Sequence, residues 1–329
     1  MYLVCYARKQ KRKFGQFNNK NTDGKKCTLC IPEESIDRTK FITLHFSQKL
    51  NIEDKSKYYH SFQIPKRNGK MRDIKEPLGQ LKSEQTYLRN MMVAKMKLIE
   101  SDSAYGFVKK RNCLGAIKEH QKFNSKYFLK LDIRNFFPSI SKQMLREQLN
   151  KLPGWYIQPE DTKEYMLDMF VDETEHLTQG CTSSPYLANL VLIEFDFLFA
   201  QYCHEHGLCY TRYADDMCIS SRHRINIPEV VHTVESYLPV GLTLSKDKTK
   251  CTSYTQENIF LGIHYNQDKE LTVGTAAKHK MKVVAHKKSK GELSVEDARY
   301  FKYLLRYYST IEPDYFCSSR FDILRKGGN

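Results

Sequence analysis

Two adjacent carboxylates, Asp215 and Asp216, interrupt the run Cys209-Tyr210-Thr211-Arg212-Tyr213-Ala214-Asp215-Asp216-Met217-Cys218-Ile219-Ser220, whose other residues suit paired strands. Adjacent acids repel each other, and each costs sheet stability at a strand end. A hard divalent cation removes the conflict by taking carboxylate oxygens. For such a pair alone, a solvated Asp-Asp turn would be the simpler reading. A third acid, Asp132, ends a short apolar strand in Tyr127-Phe128-Leu129-Lys130-Leu131-Asp132-Ile133-Arg134-Asn135-Phe136-Phe137-Pro138-Ser139-Ile140. Between the two sites lies Gln179-Gly180-Cys181-Thr182-Ser183-Ser184-Pro185-Tyr186-Leu187-Ala188-Asn189-Leu190. Its Gly, small hydroxyls and Pro make a tight turn ahead of an apolar helix.

The order FLKLDIRNFFPSI, then QGCTSSPYLANL, then YADD resembles motifs A, B and C of the reverse transcriptase palm, closest to the bacterial branch that includes retron and group II intron enzymes. The resemblance runs from about residue 59 to about 263. It implies an α+β right hand with fingers, a split βαβ (ferredoxin-like) palm and a short helical thumb. It also implies RNA-directed DNA synthesis from dNTPs with two Mg2+ ions, for which Mn2+ can substitute.

By that resemblance Asp132 and Asp215 bridge both ions, Asp216 completes one shell, and the Ile133 carbonyl is a further ligand. Phe137 takes the position under the incoming sugar, where a bulky ring clashes with a 2′-hydroxyl; a core aromatic is the alternative, with Phe136 beside it. Arg72 and Lys66 are candidates for the triphosphate, since guanidinium forks and ammonium charges suit phosphate oxygens. Lys248 matches the motif D lysine that can protonate pyrophosphate, or is a solvated lysine in a charged turn. Gln179 and Gly180 match the motif B contact to nucleotide and template base, or form an ordinary turn. Tyr213 either touches the primer end or packs in its hairpin, and Leu261-Gly262 fall in the motif E segment that holds the primer. Asp161, Asp168 and Asp172 read as surface acids.

Three departures stand out. Thr178 replaces a frequent Pro, Cys181-Thr182 replace a retron-type Ala-Pro, and Phe260-Leu261-Gly262 stand where retron enzymes carry Val-Thr-Gly. On that ground the chain is not read as a true retron enzyme.

Elements must hold these residues. Residues 1–35 are a basic extension containing Arg8-Lys9-Gln10-Lys11-Arg12-Lys13, either a solvated tail or an arm for RNA. Residues 36–125 read as fingers: a strand over Tyr59 to Ile64, a basic Lys66–Lys70 turn with Asn-Gly, a strand over Met71 to Ile74, and a helix over Gly79 to Glu100. Residues 126–268 read as palm, with helices over Gln143 to Leu152, Tyr186 to His204 and Pro228 to Leu238, and a returning strand across Val240 to Thr249. In the second helix Leu187, Leu190, Leu192, Ile193, Phe195 and Leu198 are the expected buried face. Residues 269–329 read as thumb, with helices opening near Lys278, over Val295 to Tyr308 behind a Ser294/Asp297 cap, and over Phe321 to Arg325. The length leaves no room for an RNase H, integrase or endonuclease domain.

The 329 residues carry a net charge of +15, which suits a phosphate-rich partner. Ten cysteines without a signal-like N-terminus point to free thiols in a reducing compartment, which the resemblance implies is the bacterial cytoplasm. Cys27 and Cys30 form the one CxxC, short of a zinc set. No run of about 18 apolar residues predicts a membrane span. Expected partners are an RNA template (a dedicated structured non-coding RNA), its cDNA product and dNTPs, in an enzyme resembling the stand-alone reverse transcriptases of phage defence. Three rivals remain open: untemplated or protein-primed DNA synthesis, an RNA-binding scaffold like maturase relatives, and, less favoured by Phe137 and YADD, an RNA polymerase.

Overall fold

The computed structural model describes residues 50, 54–65, 69, 71–95, 100–253, 255–256 and 258–325. Lys66, Cys27, Cys30 and the basic extension lie outside the described residues.

Among the described residues, a 3-10 turn (Lys55–Tyr58) leads into an antiparallel hairpin of β1 (Tyr59–Pro65) and β2 (Met71–Pro77), followed by helix α1 (Gly79–Lys95). Helix α2 (Cys113–Lys122) starts at Asn112, whose side chain caps the Gly115 amide. The central sheet follows: β3 (Tyr127–Asp132), β4 (Leu208–Tyr213), β5 (Asp216–Ser221) and β6 (Lys250–Ser253), in the order β4-β5-β3-β6. All neighbours are antiparallel. This is the split βαβ arrangement, because β5 separates the parallel pair β3 and β4. The longer helices between β3 and β4 are α3 (Lys142–Leu149), α4 (Glu160–Phe170), α5 (Ser184–Val191) and α6 (Ile193–Glu205); α7 (Ile227–Tyr237) joins β5 to β6. A three-stranded sheet of β7 (Asn258–Phe260), β8 (Ile263–Tyr265) and β9 (Leu271–Thr272) leads to α8 (Thr275–Ser289) and α9 (Val295–Ile311). The class is α+β.

Strand alternation sorts side chains to the two faces of the central sheet. Leu129 and Leu131 of β3, with Met217 and Ile219 of β5, join one core with α1 and α3 to α7. Phe128 and Cys218 face the other way, into a second core with α2, β7 to β9, α8 and α9. The sheet is therefore covered on both sides, and its acids sit at one end of it.

Several expectations change. The single helix over Tyr186 to His204 is two helices bent by 49° at Leu192. The bend resets the phase of the apolar stripe, and Leu198 faces solvent. The strand across Val240 to Thr249 is reduced to one bridge, Ile133 with Leu244, and a 3-10 turn over Lys246–Lys248. Gly241, at φ 99°, interrupts it, and pairing resumes only at β6. Helix α1 is described through Lys95, residues 96–99 lie outside the described residues, and Glu100 is not helical. Asp172 is buried, not a surface acid: Lys75 donates to it at 2.7 Å and Thr174 at 2.6 Å. The Ser294 cap of α9 is present, its oxygen accepting from the Asp297 amide. Among the described residues no single helix is long and apolar enough to cross a membrane.

Candidate active site

The register of the central sheet brings the three acids together. Asp132, the last residue of β3, pairs directly with Asp216, the first residue of β5. Asp216 also closes the β4–β5 hairpin opposite Tyr213. The two-residue turn between them, Ala214-Asp215, puts Ala214 at φ 57°, and the Ile133 amide donates to the Asp215 carbonyl at 3.2 Å. A single strand pairing thus joins segments more than 80 residues apart.

The electrostatics follow from burial. The Asp215 carboxyl is held above its ordinary value, first by burial and then by the Asp132 charge. Asp216 is pushed up to about 6 by burial, Asp215 and Asp132, in that order. Arg72, exposed on β2, offsets Asp215 through its charge. Lys248 donates to both Asp132 oxygens, at 2.7 and 2.8 Å, and the Ser245 hydroxyl donates to one of them at 3.0 Å. Burial works against the Lys248 charge, yet Asp132, Asp215 and Asp216 together hold its affinity for a proton above the ordinary lysine value. Among the described residues, Lys248 is thus bonded to Asp132, while Arg72 and Lys130 act on Asp215 and Asp216, respectively, through their charge alone.

Among the described residues no group of three His, Cys, Asp or Glu converges on a metal position. The donor chemistry nevertheless fits a hard divalent cation. Three carboxylates share a partly buried strand end, two of them are driven toward the neutral form by burial and mutual repulsion, and the third, Asp132, already pairs with the Lys248 ammonium.

Around this centre stand the other expected residues. Phe137 is half-buried; its ring lies 5.4 Å from that of Phe136 and 6.3 Å from that of Phe107, centroid to centroid. Phe136 is 2% exposed and belongs to the core, and Phe137 packs against that core from its edge. The Gln179 carbonyl accepts from the Lys75 amide at 2.8 Å, which ties the β2 strand carrying Arg72 to the motif B turn. Gly180 is required there: at φ 116°, a Cβ would come within 2.7 Å of the Lys75 carbonyl. Cys181 is buried against Thr178, and burial pushes its thiol pKa up, so it packs as a small core residue. The Gln179 side-chain oxygen is buried without a protein partner. Leu261 and Gly262, at φ 53° and 83°, form the two-residue turn of the β7–β8 hairpin, of type I′ by their signs. Lys130 of β3 donates to the Ile259 carbonyl and ties that hairpin to the sheet.

Sequence reasoning missed the support beneath the YADD turn. Arg212 and Asp196 are fully buried and form a two-pronged pair, with nitrogen–oxygen distances of 2.8 and 2.6 Å. Arg212 also donates to the Ala214 carbonyl at 2.9 Å and to the Asn189 side chain at 3.0 Å. The signal was available: an acid inside Ile193-Glu194-Phe195-Asp196-Phe197-Leu198 and an arginine inside Tyr210-Thr211-Arg212-Tyr213 are both isolated charges in apolar runs. Ser245 carried no comparable signal, whereas Phe107 stands in Ala104-Tyr105-Gly106-Phe107, a loop resembling the YGF-type segment ahead of motif A in the bacterial enzymes.

Comparison with known proteins shows the family. Residues 64–265 match the family model described as "Reverse transcriptase (RNA-dependent DNA polymerase)". The retron Ec83 reverse transcriptase of Escherichia coli is 27% identical over 268 residues, covering 78% of this chain and 84% of that protein. The retron Mx65 enzyme of Myxococcus xanthus is 25% identical over 276 residues, covering 79% of this chain and 63% of its own length. Apo telomerase from Candida tropicalis aligns with a TM-score of 0.49 at 11% identity, over 84% of this chain and 60% of that chain. The chain thus spans less than two thirds of the Mx65 enzyme and of the telomerase. The missing Val-Thr-Gly and Ala-Pro signals do not set the chain apart from retron enzymes, because these curated relatives are retron reverse transcriptases. The chain belongs to the reverse transcriptase family of RNA-directed DNA polymerases, on the side of its bacterial retron-type members.

Proposed function

We propose that the chain copies an RNA template into DNA at the Asp132/Asp215/Asp216 centre. The observation that carries this reading is the direct cross-strand pairing of Asp132 with Asp216, beside Asp215 and under Lys248. Asp132, Asp215 and Asp216, with the Ile133 carbonyl, would hold two Mg2+ ions, and Mn2+ would serve in their place. When bound, such ions neutralise triphosphate charge and lower the pKa of a primer hydroxyl.

The chain's own groups divide the remaining work. Lys248 is protonated and within reach of the acids, so it is the proton source for departing pyrophosphate. Arg72, together with Lys66, meets the triphosphate. Gln179 and Gly180 meet the nucleotide and template base. Phe137 excludes a 2′-hydroxyl, and Tyr213 with the Leu261-Gly262 turn supports the primer end. In this reading the β1–β2 hairpin through α2 is the fingers, the central sheet with α3 to α7, β7 and β8 is the palm to residue 268, and β9 with α8 and α9 is the thumb. The template is a structured non-coding RNA, the setting is the bacterial cytoplasm, and the biological use is defence against phage.

The test sequences the nucleic acid made by purified protein with its copurifying RNA, Mg2+ and dNTPs, alongside Asp215→Ala. A cDNA complementary to one RNA and absent from the variant is expected. A product matching no RNA would establish untemplated synthesis, and a DNA–protein adduct surviving denaturation would establish protein priming. No product on either copurified or generic primed RNA would leave the scaffold reading. A phage-plating assay with and without Asp215→Ala tests the defence role.

A further inference from the structure

We propose that Phe107 is a positioning residue for Phe137, and through it a determinant of sugar selection; this rests on the reading of Phe137 as the group that excludes the 2′-hydroxyl. A steric barrier works only if its ring is held to within a fraction of an ångström. Phe137 is half-buried and, among the described residues, has two aromatic neighbours. Phe136, in the core, backs one side. Phe107 meets it edge-on at 6.3 Å, with an interplanar angle of 61°, a geometry that aromatic pairs favour. The same ring lies 6.3 Å from Tyr213, so it bridges the sugar position and the YADD hairpin.

The backbone shows that this placement is imposed. Phe107 sits at φ 61°, a conformation that a bulky residue adopts only when its surroundings over-determine it. Those surroundings are the Arg212 network. The Tyr105 amide donates to the Arg212 carbonyl at 2.7 Å, and the Asn189 side chain donates to the Gly106 carbonyl at 2.9 Å. The Asn189 oxygen in turn accepts from Arg212. Gly106 lies so close to the YADD turn that a Cβ would be 2.6 Å from the Ala214 amide. Arg111 closes the far side of the loop by donating to the Ser101 and Ala104 carbonyls. One buried guanidinium therefore anchors both the turn that carries Asp215 and the loop that presents Phe107. An exposed phenylalanine in a loop is ordinary by itself, and Phe107 is 40% exposed. The left-handed backbone, the clamp and the two ring contacts to site residues distinguish this one.

The test compares incorporation of a deoxynucleotide and its ribonucleotide by full-length protein on a primed RNA template. Phe107→Ala is measured with Phe107→Asn, which keeps a residue tolerant of the left-handed conformation, with Phe137→Ala, and with the double variant. Phe137→Ala should raise ribonucleotide kcat/KM about a hundredfold, and either Phe107 variant about tenfold. General damage would lower both substrates, so a gain for one of them is not a stability effect. The double variant should match Phe137→Ala alone, because Phe107 acts through that ring. Ribonucleotide use that stays flat in both Phe107 variants while Phe137→Ala raises it would overturn the positioning role and leave the reading of Phe137 standing. Effects that multiply in the double variant would overturn it too, by showing that Phe107 meets the sugar independently. No gain in Phe137→Ala would remove the reading of Phe137 itself, and this inference with it. If Phe107→Ala fails to fold, Phe107→Asn decides.

Discussion

Two clusters of buried charge sit at opposite sides of the YADD turn and are built on opposite principles. Behind the turn, Asp196 meets a guanidinium whose geometry matches it, and Tyr210, Asn189 and the Ala214 carbonyl take up further bonding capacity. In front of it, Lys248 is bonded to Asp132, Arg72 and Lys130 reach Asp215 and Asp216, respectively, only through their charge, and burial drives those two acids toward the neutral form. Burying a charge is tolerable when it is paired and hydrogen-bonded. The rear cluster meets that condition from within the chain. The front cluster lacks positive charge, as a site built to receive cations and a triphosphate would. Strain held in place by surrounding structure is the general pattern at functional sites, and here the balanced cluster holds the unbalanced one.

The comparison can be broken most strongly in front. Asp132→Asn or Asp215→Ala should cut the rate of nucleotide addition by about a thousandfold or more, about 4 kcal/mol in the barrier. Thermal unfolding should show no loss of stability. An equal drop in melting temperature would mean that the acids hold the fold and not the reaction.

Breaking the rear cluster should reverse that outcome. Arg212→Met leaves Asp196 buried without its partner and should cost about 3–5 kcal/mol in urea unfolding. Activity should be lost with it. A loss below about 1 kcal/mol would show that the pair is not the anchor.

A smaller effect sharpens the contrast. Asp216 titrates near 6 in the folded chain and near 3.8 in the unfolded one, so the folded state binds the extra proton between those values. Its carboxylate therefore lowers stability progressively as pH rises through 6. In EDTA, Asp216→Asn should be more stable than the native chain at pH 7 by about 2 kcal/mol, with the gap closing toward pH 4. Added Mg2+ should stabilise the native chain and narrow the same gap, because a ligand that binds only the folded state raises its stability. Equal melting temperatures at pH 7 in EDTA would refute the imbalance.

The smallest expected change comes from a third polar cluster, neutral and internally satisfied. His120 is buried between the Ser220 and Thr211 hydroxyls, and burial pushes it down to about 3. Below about 6.5 the unfolded chain takes up a proton that the folded chain refuses, so stability falls with acid. The slope approaches about 1.4 kcal/mol per pH unit below that point. His120→Gln, made in the Asp216→Asn background to remove the opposing titration, should flatten the curve between pH 6.5 and 5.

Much of this centre is legible in the sequence, for a specific reason. Acids that end apolar strands and glycines at tight turns are local signals, and Asp132, Asp215, Asp216, Gly180 and Gly262 are all of that kind. Helix starts marked by caps are also readable, as Ser294 shows. What the sequence hides depends on packing. The bend at Leu192 turns Leu198 outward. A lysine 97 residues away buries Asp172, and Gly241 dissolves the expected strand before Lys250.

Sequence alone therefore determined the chemistry on offer: which strands end in carboxylate, which turns need glycine, and that the chain is strongly basic. Tertiary structure alone decided how those groups meet. Side chains alternate along a strand, but nothing local says which strand pairs with which or in what register. That register set Asp132 against Asp216, placed Lys248 on Asp132, and put Arg212 where one guanidinium could hold both the YADD turn and the loop bearing Phe107. Such contacts join residues far apart in sequence, so only the folded chain could reveal them.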